Sequence, residues 1–178
     1  MAEFSNPPDN NDLQDFLADK RNLIVLSGAG ISVSSGIPTY RDKTGNWKRS
    51  NPIQHQDFMS RKLARQRYWL RSFSGWPAVA SAVPTPSHKV IAELESRKIV
   101  QMVVTQNVDR LHQQAGSQNV IDLHGRLDEV VCMSCQKITT RNTLQSKLEL
   151  LNPSFSQQGN VAPDGDADVP EKLVPGFV

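Results

Sequence analysis

The chain predicts an α/β fold, a Rossmann-like parallel sheet with a small helical and zinc-ribbon domain beside it, on three observations. Short apolar runs, Leu23–Leu26, Ile99–Thr105 and Val120–Leu123, alternate with stretches of helical periodicity, the pattern of parallel strands joined by helices. The first run empties into a loop with three glycines and three serines, Gly28 to Gly36, where backbone amides can approach a phosphate with no Cβ in the way. A Cys132-x-x-Cys135 pair comes after the third run, and cysteines at that spacing look like half of a metal site, not like a disulfide framework.

Taken in order, residues 1–12 are rich in Asn, Asp and Pro and read as disordered. Leu13 to Lys20 is predicted as a short helix with Leu13, Phe16 and Leu17 on one face. Leu23 to Leu26 reads as a buried strand. Asp57 to Phe73 is one basic helical stretch containing Phe58, Leu63, Tyr68 and Leu70, and Pro77, Pro84 and Pro86 punctuate the loop after it. The next helix takes Ser87 as its N-cap and buries Val90, Ile91 and Leu94. After the second strand comes a helical turn, Leu111 to Ala115, closed by Gly116, and then the third strand. Val130 to Cys135 opens the ribbon, Leu144 to Leu151 is helical, and Asn152 to Val178 is a Pro/Gly/Asp loop. The expected organisation is a disordered N-terminus over 1–12, a nucleotide-binding domain over 13–131 with a helical insertion at about 50–86, and a segment over 132–178 that opens with the Cys132–Cys135 half of a metal site.

Composition excludes several functions. The 178 residues suit one domain of ordinary size, and a net charge of +2 argues against nucleic acid or a membrane surface as partner. No apolar run reaches the length of about 18 residues that a spanning helix needs. The N-terminus carries Glu3, Asp9, Asp12, Asp15 and Asp19 before its first basic residue, unlike a signal or transit peptide, so the expected compartment is the cytoplasm.

The glycine loop departs from the ordinary dinucleotide fingerprint. Gly28 and Gly30 fit its first two glycines, but Val33 takes the third place and Trp47–Lys48–Arg49 lies where a ribose-binding acid belongs. A hydride-transferring dehydrogenase is therefore disfavoured, and a lone G-x-G is equally a turn with no ligand. The wider pattern decides. G-A-G-x-S at Gly28, G-I-P-x-Y-R at Gly36, T-Q-N-V-D-x-L-H at Thr105, L-H-G at Leu123 and C-x-x-C at Cys132 occur together in one order. In this the chain resembles the sirtuins, the NAD-dependent protein-lysine deacylases, from roughly Leu13 onward. Tyr40, the stretch Arg65–Arg71, Gly75–Trp76–Pro77 and Ala162–Asp166 are similar to the class II branch of mitochondrial lipoamidase type and its bacterial relatives.

The resemblance implies specific roles. Attack of an acyl-lysine carbonyl oxygen on C1′ of the nicotinamide ribose expels nicotinamide, and a base must then activate a ribose hydroxyl. His124 matches the catalytic histidine, and imidazole suits that task because the free side chain titrates near working pH. Asn107, catalytic, and Gln106 would serve the ribose and the catalytic water, and Asp109 the nicotinamide carboxamide, whose NH₂ needs an acceptor. Gly28, Ala29, Gly30 and Ser32 would meet the pyrophosphate, with Pro38, Tyr40, Arg41 and Asp42 in the cofactor loop. His112 is read as structural. Tyr68 and Arg71, one helical turn apart, would bind an acidic acyl group through a phenol and a guanidinium. Cys132 and Cys135 would be two of four zinc ligands. The expected partners are NAD and an acylated protein lysine, with no nucleic acid and no membrane. Mono-ADP-ribosyl transfer and non-catalytic binding of NAD or ADP-ribose are the alternatives. By this resemblance the chain stops inside the zinc module, with two of its four cysteines, and is expected to be an incomplete, inactive fragment.

Overall fold

The computed structural model describes residues 10–39, 44, 46, 53–153, 155, 163–167 and 169. Three strands, β1 (Leu23–Ser27), β2 (Val100–Thr105) and β3 (Val120–Asp122), form a parallel sheet in the order β1-β2-β3. The register sets Ser27 beside Thr105 and Thr105 beside Asp122. All three strands therefore end along one edge, and the loops leaving them are neighbours. A separate antiparallel pair, β4 (Glu129–Val131) and β5 (Ile138–Thr140), carries the two cysteines in its turn.

The helices are α1 (Asn10–Ala18), α2 (His55–Ser60), α3 (Lys62–Ala80), α4 (Pro86–Ser96), α5 (Leu111–Gln114) and α6 (Arg141–Leu151), with a 3-10 turn at Ala29–Ser35. Two cores result. In the sheet, Val100 and Val103 are buried, and Leu111 packs with Ile37 and Ala82. In the second, Leu70 and Phe73 of α3 meet Leu148 of α6, with Trp69, Leu144 and Phe155 around them.

Several expectations are corrected. The chain is already helical at Asn10, inside the segment read as disordered, and Leu13 and Phe16 of α1 stay exposed instead of packing. The strand read as buried is covered on one face only: Ile24 and Leu26 are 66% and 69% exposed, in register with Met102 and Val104 of β2. A purely apolar strand cannot tell one covering layer from two. The single basic helix is two, because Arg61 between them is extended (φ −118°, ψ 115°). Pro77 does not end α3, which runs on to Ala80. Proline there has no N–H for the carbonyl four residues back, and the side chain of Gln145 supplies the missing donor, Nε2 to Phe73 O at 3.3 Å. The cap of α4 is Thr85 with Pro86 in the first turn, not Ser87. Its buried residue is His88, while Val90 faces solvent and Ile91 and Leu94 are half-buried.

Part of the C-terminal stretch read as a loop docks on α3. Ala167 N donates to Arg71 O at 2.9 Å, and Arg71 Nε lies 3.4 Å from Asp166 Oδ2. Gly75 permits this approach, since a Cβ there would stand 2.2 Å from Gly165 O. Among the described residues no helix is long and apolar enough to cross a membrane.

Candidate active site at the end of the parallel sheet

A parallel sheet binds ligands beyond the carboxyl ends of its strands, and here those ends deliver three chemically distinct loops. Beyond β1, Gly28 is extended (φ −143°, ψ −172°) and opens the 3-10 turn. An added Cβ at Gly28 or Gly30 would meet nothing within 4 Å, and neither residue has a positive φ. Nothing in the fold itself requires glycine at these two places. The space above their backbone is open.

Beneath the loop lies a connected set of polar side chains. Asn107 Nδ2 donates to Gly28 O at 3.2 Å and to Ser32 Oγ at 3.1 Å, and Ser32 Oγ donates to Asp109 Oδ2 at 2.7 Å. Asp109 Oδ1 accepts from Leu111 N at 2.9 Å. Ser32 is fully buried. Its hydroxyl joins Asn107 to Asp109. Each carboxylate oxygen of Asp109 keeps a second lone pair, so an amide ligand can still be held. Asn107 Oδ1 accepts no hydrogen bond within the described residues and is the free acceptor of the set.

A second layer supports the first. Ser27, the last residue of β1, donates to Thr105 Oγ1 at 2.9 Å and lies 2.8 Å from His112 Nε2, and Thr105 Oγ1 also accepts from Asn107 N. The His112 ring packs edge-on against His88, centroids 4.7 Å apart. Burial first, and the neighbouring His88 second, push His112 down to about 4. Burial likewise lowers His88. Both rings are buried against the end of the sheet, and His112 links α5 to Ser27 of β1. His88, Ser27 and Thr105 escape the sequence reading. The available signal is a hydroxyl residue ending both β1 and β2, where a strand meets a polar loop.

His124 stands beyond β3, exposed, with Nδ1 3.0 Å from Gln106 O. A carbonyl can only accept, so Nδ1 carries the proton and Nε2 presents a free lone pair. Gln106 is exposed beside it, and its amide N donates to Ser27 O at 3.1 Å. Gly28, Ala29, Gly30, Ser32, Gln106, Asn107, Asp109 and His124 thus stand on three adjoining loops. Pro38 lies near the end of the described part of the first loop, half-buried. Tyr40, Arg41 and Asp42 lie outside the described residues.

Two further sets stand apart. Tyr68 and Arg71 do share α3, but Arg71 is already paired with Asp166. Cys132 and Cys135 are exposed free thiols. The amides of Cys135 and Ser134 hydrogen-bond to the Cys132 sulfur and lower its pKa. That favours a thiolate, the form that binds metal. A closed zinc site needs four ligands, and among the described residues no group of three or more His, Cys, Asp or Glu side chains is placed to hold a metal ion. A complete site does not fit the residues described.

Known proteins share these features. The Sir2 family profile matches residues 28–163. An NAD-dependent protein deacetylase of Xanthomonas axonopodis is 50% identical over 171 residues, which are 96% of this chain and 58% of that protein. The NAD-dependent protein deacylase Sirt4 of Drosophila melanogaster is 46% identical over 169 residues, 93% of this chain and 54% of that protein. A solved Sir2–p53 peptide–NAD+ complex superposes with a TM-score of 0.68 at 32% identity, over 92% of this chain and 63% of that one. A Sir2Tm structure bound to a propionylated peptide gives 0.64 at 35% identity, over 78% and 54%. The chain spans little more than half the length of the curated relatives it matches. With the glycine loop, the Asn107–Ser32–Asp109 cluster and His124 all inside the matched segment, the chain belongs to the Sir2 family.

Proposed function

We propose that this chain carries the NAD-binding and catalytic edge of a protein-lysine deacylase. One observation supports this best: two glycines that the fold does not need lie over a buried Asn–Ser–Asp cluster, with a histidine on a neighbouring loop whose Nδ1 faces a backbone carbonyl. NAD+, when bound, supplies an electrophilic ribose carbon and nicotinamide as leaving group. The amides at Gly28, Ala29 and Gly30 would hold its phosphates, and Asp109 would accept from the carboxamide NH₂ and so orient the leaving group. Asn107 Oδ1 and Gln106 would position the ribose hydroxyls and water. His124 Nε2, free to take a proton while Nδ1 is held by Gln106 O, acts as general base on a ribose hydroxyl. Pro38, Tyr40 and Arg41 would serve the cofactor, Tyr40 by shielding the ribose from water.

The acylated lysine of a protein is the substrate we propose, with the class II branch as kin and the cytoplasm as compartment. Cys132 and Cys135 would give two ligands to a structural zinc, the other two coming from outside the described residues.

The test separates binding from chemistry. Gly30→Ala adds a methyl group that the empty loop accommodates, so the protein keeps its thermal midpoint but loses at least about ten-fold in ADP-ribose affinity by calorimetry. His124→Ala keeps ADP-ribose affinity and loses nicotinamide release that depends on acyl-peptide. Unchanged affinity in Gly30→Ala, or full turnover in His124→Ala, overturns the reading.

A further inference from the structure

Beneath the candidate active site, the buried hydrogen bonds around His112 all run in one direction. Ser27 has a single hydroxyl proton, and it goes to Thr105 Oγ1 at 2.9 Å. The 2.8 Å contact between Ser27 Oγ and His112 Nε2 therefore needs the imidazole as donor. The other neutral tautomer would set a nitrogen lone pair against an oxygen lone pair. Nε2–H is thus fixed, which leaves Nδ1 as a bare acceptor, buried with no partner among the described residues. His112 titrates at about 4, so the neutral ring is the form present at pH 7. His88 packs edge-on against it and is itself fully buried, so water does not stand in for the imidazole donor.

Thr105 Oγ1 is where this chain of bonds ends. It accepts from Ser27 and also from Asn107 N at 3.1 Å, so both of its lone pairs are used. Ser27 O meanwhile accepts from Gln106 N at 3.1 Å. The backbone of Gln106 and Asn107 thus hangs from two hydroxyl residues whose orientation His112 sets. From that backbone Asn107 directs Nδ2 to Gly28 O and Ser32 Oγ, which leaves Oδ1 to a ligand.

We propose that His112 is a positioning residue for the ribose end of the site: by donating from Nε2 to Ser27 it orients the Ser27–Thr105 pair and so holds Asn107 in place. The ligand in this inference rests on the NAD-binding reading, and the link to Asn107 rests on the hydrogen bonds alone. It accounts for a histidine at a place 1% exposed, where packing by itself asks for no donor.

Three variants of the full chain test the donor. His112→Leu keeps most of the bulk and removes Nε2–H, Ser27→Ala removes the link, and His112→Gln returns an N–H at the end of a flexible side chain. Amide exchange followed by NMR reads the contact directly. In His112→Leu the Asn107 amide is expected to exchange at least about ten-fold faster relative to the Val103 amide, which bonds Asn119 O in the sheet. ADP-ribose, which carries the second ribose, should bind at least about five-fold more weakly by calorimetry, and ADP, which lacks it, equally well. Ser27→Ala should behave as His112→Leu does, and His112→Gln as the parent. Asn107 exchange and ADP-ribose affinity both unchanged in His112→Leu overturn the proposal. So does His112→Gln as impaired as His112→Leu, or an equal loss of ADP and ADP-ribose, since either makes the effect one of packing. If His112→Leu does not fold, Ser27→Ala decides on the same readings. Failure of the parent chain to bind ADP-ribose would count against the NAD-binding reading, and Asn107 exchange then decides the positioning by itself.

Discussion

Replacing Gln145 with leucine tests how α3 tolerates a proline in its last turns. Pro77 leaves the carbonyl of Phe73 without its helical donor, and Gln145 Nε2 fills the place from α6 at 3.3 Å. Gln145 is 7% exposed, so water cannot replace it freely. Removing a donor from a buried carbonyl costs about 1–3 kcal/mol. Leucine also discards Gln145 Oε1, itself buried without a partner among the described residues, and this offsets part of the loss. The expected net destabilisation is about 1–2 kcal/mol, or roughly 2–8 °C in the thermal midpoint for a chain of this size. The mechanism makes a sharper claim through a second substitution. Pro77→Ala returns an N–H to the helix, which then satisfies Phe73 O by itself. In that background Gln145→Leu should cost at least about 1 kcal/mol less, a coupling well above the few tenths expected of independent sites. Urea unfolding monitored by circular dichroism measures all four proteins. Additive effects would refute the reasoning, because the proline and the glutamine would then not share a carbonyl.

Two other outcomes come from the packing. Gly75→Ala drives a Cβ to 2.2 Å from Gly165 O and 2.7 Å from Asp166 C. Both are backbone atoms that must move, so the 163–167 segment should detach from α3 and the amide of Ala167 should exchange at least about ten-fold faster, while β2 amides stay protected. The buried histidines set an acid limit: His112 titrates at about 4 when folded and near 6.5 when unfolded, so below about pH 6.5 only the unfolded chain takes up its proton. Stability from this residue is intact above about pH 6.5 and falls toward about pH 4 by about 1 kcal/mol per unit. His112→Gln should flatten that slope in urea titrations between about pH 7 and about pH 4.5.

The residues themselves determined the parallel α/β architecture, the glycine loop and the cluster after β2. Each of these is a local statement: apolar runs of strand length, glycines at the end of one of them, and polar side chains at the ends of the others. The five motifs, through the resemblance they carry, nominated Gly28, Asn107, Asp109 and His124, and because parallel strands end on one edge the fold sets the loops that bear them side by side. Helix positions were legible where periodicity was strong, as in α6, and misplaced where one residue's surroundings decided, as at Pro77 and Thr85. Tertiary structure alone decided the rest. Whether Ile24 and Leu26 are covered depends on which helices pack on β1, and an all-apolar strand carries no mark of that. The resemblance gives Ser32 to the pyrophosphate, and only the fold shows that its hydroxyl links Asn107 to Asp109, residues far away in the sequence. Arg71 and Arg141 cannot be ranked from the sequence, where each is one arginine near aromatic residues. The difference between them is Asp166, which folds back and pairs with Arg71, while Arg141 packs against the Trp69 and Trp76 rings.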